Sequence, residues 1–245
     1  MKIISSQPEP LTESMPEIVR KAVEEKIIYG ELMPGSRLFE EELVEQFDIS
    51  RSPIREALKI LEHDGLVVIE PRRGARVAQL SISDLDEVYA TRVALESLAA
   101  AQAAEHCGED EKERLYEDLS GLENAFATEL PQKFFKANVA ITNSIHEISR
   151  NKTLARLLRS IAKQSFRYRY LAYSMEPDLM KISVGSNRTL VEAIVANDSW
   201  LARSVMESIL RQSWRRVVGI LGSEGREFLK QNPNGVRRQM DRKCY

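Results

Sequence analysis

The sequence predicts a mainly α protein: an N-terminal winged helix-turn-helix with a small β-hairpin wing, followed by an all-α antiparallel helical bundle. Two observations carry this. Leu38 to Gly74 reads LFEEELVEQFDISRSPIREALKILEHDGLVVIEPRRG, in which a short acidic helix, a tight turn, a basic-faced helix and a basic hairpin follow in order. From Ser83 onward almost every segment is helix-forming, with breaks spaced as in a bundle.

In the first part, Leu43, Val44 and Phe47 give the acidic helix its apolar face, and Asp48-Ile49-Ser50 makes the turn. The next helix repeats Ile54, Ala57, Leu58 and Leu61 at i, i+3, i+4 and i+7. One face is thereby fixed on a core, while Arg51, Arg55 and Lys59 occupy the other. Ser50 or Ser52 can cap its start, and Pro53 sits in the first turn, where a missing N–H costs little. Two helices joined by so short a turn cross steeply, which leaves the second free to enter a DNA major groove. Gly65 to Glu70 reads as a strand, Pro71-Arg72-Arg73-Gly74 as its turn and Ala75 to Ala78 as the returning strand. A basic helix face alone is usually just solvated. The ordered set marks a DNA-reading head, with Ser50, Arg51, Ser52, Arg55, Lys59, Arg72, Arg73 and Gly74 as its contact candidates.

The 245 residues suit two modest domains, and a 43% hydrophobic content is enough for two cores. No apolar run reaches the length of a membrane span, and Met1-Lys2-Ile3-Ile4 does not open an apolar leader, so a cytoplasmic protein is expected. Cys107 and Cys244 lie far apart without metal-ligand spacing, which gives no support to a disulfide framework or a zinc finger. The net charge of −2 hides a local imbalance: residues 51–76 hold six basic groups (Arg51, Arg55, Lys59, Arg72, Arg73, Arg76) against four acidic ones. Glu40, Glu41, Glu42 and Glu45 cluster just before them. Such a head binds random DNA weakly, so affinity needs two heads and base contacts, and a homodimer is expected.

The residues Gly30-Glu31-Leu32-Met33-Pro34-Gly35-Ser36-Arg37-Leu38, Glu42-Leu43, Ser50 to Leu58, Leu61, Gly65-Leu66 and Gly74 resemble the winged helix-turn-helix of the GntR family of bacterial transcription regulators. The likeness covers about residues 14–80. It implies that Arg51 and Arg55 face DNA and that Gly74 approaches the minor groove. Some relatives carry an arginine where this chain has Glu41, which implies a different base preference.

In the second half, Ser83 caps a helix running to His106, and further helices are expected over 109–127, 131–149, 151–174, 183–197 and 198–221. These six helices fill a domain over 81–222, between the head (14–80, after a flexible 1–13) and a flexible basic tail over 223–245. Tyr89 to Glu96, Asn138 to Asn151, Asn187 to Ile194 and Met206 to Leu210 resemble the FCD ligand-binding domain of the FadR subfamily. The short linker Gln79-Leu80-Ser81-Ile82 and the six helices suggest its VanR-like branch.

Many members of that subfamily hold a divalent metal on one Asp and three His, and the metal helps to hold a small carboxylate effector. The resemblance places Asn138, Thr142, Asn187 and Ile209 at those four positions. Amide and hydroxyl oxygens bind transition metals weakly and Ile has no donor, so no metal cofactor is expected. His146, one turn after Thr142, is included in the effector pocket as a neighbour rather than a ligand. Arg92 matches an arginine that the family sets against an effector carboxylate; alternatively it pairs with Glu96 at i+4. The effector pocket is thus read as Arg92, Asn138, Thr142, His146, Asn187 and Ile209, for a small molecule such as an organic acid. Arg167 to Tyr170 and Tyr173 line either that pocket or a dimer surface.

The leading function is a homodimeric, effector-responsive transcription regulator, a repressor at a palindromic operator. The alternative is an architectural DNA-binding protein whose bundle only dimerises. No nucleophile–base pair, phosphate-cradling loop or paired catalytic carboxylates supports an enzyme.

Overall fold

The computed structural model of the chain describes residues 13–79 and 81–221. Leu80 of the linker, Cys244, the tail expected over 223–245 and all of the expected flexible N-terminus except Glu13 lie outside the described residues.

The head opens with a helix that the patterning above does not single out, α1 (Met15–Ile28), started by Pro16 and buried through Val19, Val23 and Ile27. Then come α2 (Glu40–Phe47) and α3 (Arg51–His63), turned by Asp48 in the left-handed region at φ 52°. α3 buries Ile54, Ala57, Leu58 and Leu61 as its periodicity requires. Ser50 occupies the N-cap position in extended backbone, yet its hydroxyl makes no cap hydrogen bond, and Ser52 lies inside the helix. The preset φ of Pro53 and the Asp48 turn define the start instead of a side-chain cap.

The wing is a three-stranded antiparallel sheet of order β1-β3-β2, made of β1 (Arg37–Leu38), β2 (Val67–Glu70) and β3 (Gly74–Val77). Val67 faces Val77 and Glu70 faces Gly74. β1, two residues long, leaves no period to read and pairs Arg37 with Arg76. The expected first strand shortens at its start because Gly65, at φ 74°, ends α3 and Leu66 drops wholly into the head core.

The bundle comprises α4 (Ile82–His106), α5 (Glu109–Ala127), α6 (Pro131–Ile148), α7 (Lys152–Met175), α8 (Asp178–Val195) and α9 (Ser199–Ile220). Two sequence expectations change. The cap of α4 is Ser81 rather than Ser83: its Oγ accepts from Asp84 N–H at 3.3 Å. α8 begins at Asp178, not 183, because Pro177 is already helical and Met180 N–H bonds its carbonyl at 3.0 Å, burying Met180. Asn151 and Asp198 cap α7 and α9, accepting from Leu154 and Leu201 N–H at 3.0 and 2.9 Å. Along α4, buried Ala99, Ala100, Ala103 and Ala104 carry only a methyl, so neighbouring helices come close around it.

The head rests on α6 and α7 of the same chain. Tyr29 meets Tyr170 edge-on at 4.9 Å between ring centres, and Phe135 joins them. Lys163 reaches Asp64 at 2.6 Å and Glu24 at 3.7 Å. Arg167 donates to the carbonyls of Ala78 and Gln79, and the Tyr168 hydroxyl bonds both Ser81 N–H and Ser81 C=O at 3.2 Å. One helix, α7, therefore grips both ends of the linker.

Candidate functional site

Two separate constellations emerge. On the head, Arg51, Ser52, Arg55 and Lys59 form the exposed face of α3. Arg51 and Arg55, each with a side chain 60% exposed, lean on the acidic helix: Arg51 Nη2 lies 3.3 Å from Glu41 and Arg55 Nε 2.9 Å from Glu40. Exposed pairs of this kind contribute at most about 1 kcal/mol, so a DNA ligand displaces them readily. At the wing tip Arg72 adopts φ 65° and Gly74 φ 83°, and nothing among the described residues lies within 4 Å of the point a Gly74 Cβ would occupy. Arg72 and Arg73 are exposed there. Arg76, counted among the six basic groups, instead turns inward and donates to the Gly35 carbonyl at 3.2 Å.

The bundle forms a cavity of about 410 Å³ whose lining includes Arg92, Asn138, Thr142, Asn187 and Ile209, so helices α4, α6, α8 and α9 bring these five residues around one space. Arg92 Nε bonds Glu96 Oε1 at 2.7 Å with the side chains only 3% and 2% exposed. Arg92 thus lines the cavity and is paired with Glu96 at the same time. Burial opposes both charges, but each holds the other ionised; the Arg92 guanidinium is pushed up and the Glu96 carboxyl down. Arg169, from α7, donates through Nη2 to Asn138 Oδ1 and stacks over Phe135 and Phe166 at 5.6 and 5.8 Å. Burial, then Arg92, lower its pKa, although a guanidinium stays protonated. Arg92 Nη1 and Arg169 Nη1 are buried and have no hydrogen-bond partner among the described residues. Ser183 Oγ ties the wall together, meeting Asn138 Nδ2 at 3.1 Å, Asn187 Nδ2 at 3.2 Å and Tyr173 OH at 3.2 Å.

The FCD domain family matches residues 87–212, more than half of the chain, and the gntR family of bacterial regulatory proteins matches residues 17–77. The chain belongs to the GntR family, in the group that carries an FCD domain. It is 35% identical over 128 residues to the HTH-type transcriptional regulator YdhC of Bacillus subtilis (strain 168), covering 49% of this chain and 57% of that one. It is 38% identical over 95 residues to the gluconate operon transcriptional repressor of Bacillus licheniformis, covering 39% and 37%. The chain therefore spans between a third and three fifths of the length of these relatives. The fold is that of E. coli McbR/YncC, with a TM-score of 0.76 at 23% identity over 85% of this chain and 99% of that one. The families and relatives are transcription regulators, not enzymes.

For a GntR protein with this domain, a metal in the cavity is the natural question, and the residues do not fit one. Asn138 gives its oxygen to Arg169, Thr142 bonds the Asn138 carbonyl at 3.1 Å, and Ile209 has no donor. Among the described residues no group of three or more His, Cys, Asp and Glu could hold a metal ion.

His146 departs from the sequence reading. It is buried and absent from the cavity lining, to which α6 contributes Asn138, Thr142 and Ile145, although its charged neighbours Glu96, Arg92 and Arg169 all line the cavity. Neither ring nitrogen has a hydrogen-bond partner among the described residues. Burial, joined by Arg92, Arg169 and Arg159 and opposed by Glu96, holds its pKa below the ordinary His value. The folded state then binds no proton here where the unfolded chain binds one, so stability falls as pH drops below about 6.5. His146→Leu is expected to flatten the loss of melting temperature between pH 7 and pH 5. Parallel curves for the two proteins count against a neutral buried His146.

Sequence reasoning left Arg169 and Tyr173 undecided and missed Ser183. The segment 167–173 in fact divides: Arg169 and Tyr173 face the cavity, while Arg167, Tyr168 and Tyr170 face the linker and α1. A helical period predicts such a division, but choosing which side faces which needs the packing of α7 between two partners.

Proposed function

We propose that the protein is a homodimeric, effector-responsive transcription regulator, acting as a repressor in the cytoplasm at a palindromic operator. Ser50, Arg51, Ser52, Arg55, Lys59, Arg72, Arg73 and Gly74 form the DNA contact surface. A small molecule binds in the cavity among Arg92, Asn138, Thr142, Asn187 and Ile209. The short linker and the six bundle helices among the described residues support the VanR-like branch of the FadR subfamily. The repressor role is supported by the name of the Bacillus licheniformis relative. Among the described residues no helix is long and apolar enough to cross a membrane.

The observation that carries the regulatory reading is α7. Its Arg169 stands in the cavity, while Arg167 and Tyr168, two residues and one residue before it, bond the backbone of the linker. A ligand that moves Arg169 by a fraction of an ångström also moves what holds the head. A protein with no effector response, the architectural alternative, has no use for a buried polar cavity continuous with the head-holding helix.

Selection of binding sites from random duplex DNA tests the operator. The enriched site is expected to be two inverted half-sites with centres about one helical turn apart. Arg73→Ala is expected to weaken all sequences evenly and to lower the slope of log affinity against log salt by about one per head. A single unpaired half-site bound by a monomer overturns the dimer reading.

A further inference from the structure

We infer that Lys163 is a positioning residue for DNA binding: it locks the angle of the reading helix α3 on the bundle and thereby sets which half-site spacing the dimer accepts. This rests on the homodimer and operator reading above. Asp64 makes the case. It is the C-cap of α3, where the helix dipole disfavours a carboxylate, and it is buried. On the head itself Arg20 is taken up by Glu17, at 2.6 Å, and by Glu24. Among the described residues the head offers Asp64 only the exposed His63 ring, at 3.8 Å. The permanent counter-charge comes from the other domain. Lys163 of α7 reaches Asp64 at 2.6 Å and Glu24 at 3.7 Å, so one ammonium ties the end of α3 and the middle of α1 to the bundle. The side chains of Arg20, Glu24 and Asp64 are 8%, 12% and 9% exposed, and water screens the cluster little.

The other contacts between head and bundle leave that angle free. Lys136 and Glu25, 3.2 Å apart, are each more than half exposed, and such a pair is worth little. Tyr29, Phe135 and Tyr170 meet edge-on, and apolar contact, being non-directional, tolerates rocking. Arg167 and Tyr168 hold the linker, the point about which a head turns. Relative motion is the default for two domains of one chain unless their interface is large and apolar, whereas a buried charge pair has one register. Gln164, next to Lys163, packs on Gly65, the residue after Asp64, 3.3 Å from the place of a Cβ there, so the end of α3 is seated on α7. In a dimer a fixed angle concentrates the second head at one distance from the first, and a loose angle spreads it over several.

Full-length wild type, Lys163→Met and Lys163→Arg are compared on duplexes whose half-sites stand at the selected spacing or up to about two base pairs nearer or farther, and on a duplex with one half-site. Wild type is expected to favour the selected spacing by roughly 100-fold and Lys163→Met by less than about 10-fold, through affinity lost at that spacing. Lys163→Arg keeps the charge and should keep the wild-type profile. Affinity for the single half-site should be equal in all three, because the reading face of α3 is unchanged. Backbone amide relaxation, which needs no DNA, should show head and bundle tumbling as one body in wild type and the head moving independently in Lys163→Met. A spacing profile in Lys163→Met as sharp as in wild type, or one in Lys163→Arg as flat as in Lys163→Met, overturns the proposal. So does a loss of single half-site affinity equal to the loss at the selected spacing, which marks a damaged head. Wild type that prefers no spacing overturns the operator reading instead, and relaxation then decides the latch: a head that tumbles alike in wild type and Lys163→Met overturns it.

Discussion

Glu96→Ala is expected to lower the unfolding free energy by about 3–5 kcal/mol, measured by urea denaturation, because it strands two buried guanidinium groups in one cavity. On a helix surface the same i,i+4 pair with Arg92 is worth only a few tenths of a kcal/mol. Burial reverses the scale: with the two side chains 3% and 2% exposed, neither charge can turn to water when its partner is removed. Arg92→Ala is expected to be similarly costly, as it leaves the Glu96 carboxylate alone with the more distant Arg169. The double variant Arg92→Met/Glu96→Leu removes both charges and keeps the volume, and it should recover most of the loss. If Glu96→Ala costs less than about 1 kcal/mol, or if the double variant is as unstable as either single one, the closed buried pair is not what holds this wall. The result also bears on ligand work. Loss of effector response in an Arg92 variant can arise from a damaged fold, which makes Arg169 the cleaner position to substitute.

The two constellations were legible to different degrees, for physical reasons. The head could be read because its elements are short, local and punctuated: Asp48 and Pro53 mark the turn and the start of α3, and Ile54, Ala57, Leu58 and Leu61 fix its face. β1 escaped because two residues carry no period, and α1 because Val19, Val23 and Ile27 mark a face only once α3 packs on them. In the bundle, the helix limits followed from caps and breaks, except where a helical Pro177 began α8 without the usual polar cap. Arg92, Asn138, Thr142, Asn187 and Ile209 came from the family resemblance, and the structure sets them around one cavity without His146. The charge of that cavity was not legible. Arg92 and Arg169 are equal as letters in a sequence, and only the packing shows that one is neutralised by Glu96 while the other has no acidic group within ion-pair distance among the described residues. His146 was read into the pocket one position after Ile145, yet one helical step is a rotation of about 100° and only Ile145 of the two lines the cavity.

The double substitution Arg51→Ala/Arg55→Ala is expected to reduce binding to the selected operator to the level of arbitrary DNA, a loss of about 1,000-fold or more. Each arginine lies on the exposed face of α3, where a fork that reads a guanine edge is worth about 1–3 kcal/mol, and a dimer presents four of them. The fold should be untouched, because both side chains are 60% exposed and their pairs with Glu41 and Glu40 are surface pairs. Those glutamates make a second, opposite expectation. Glu40 and Glu41 hold Arg55 and Arg51 in the free protein and repel phosphates, so they weaken binding to any sequence that cannot outcompete them. Glu40→Gln should therefore raise affinity for arbitrary DNA more than for the operator, and steepen the salt dependence by freeing a cation. Fluorescence anisotropy with operator and scrambled duplexes at several salt concentrations measures both effects. Operator affinity retained by the double arginine variant would falsify the assignment of α3 as the reading helix, and an unchanged specificity ratio in Glu40→Gln would remove the acidic helix from discrimination while leaving that assignment intact.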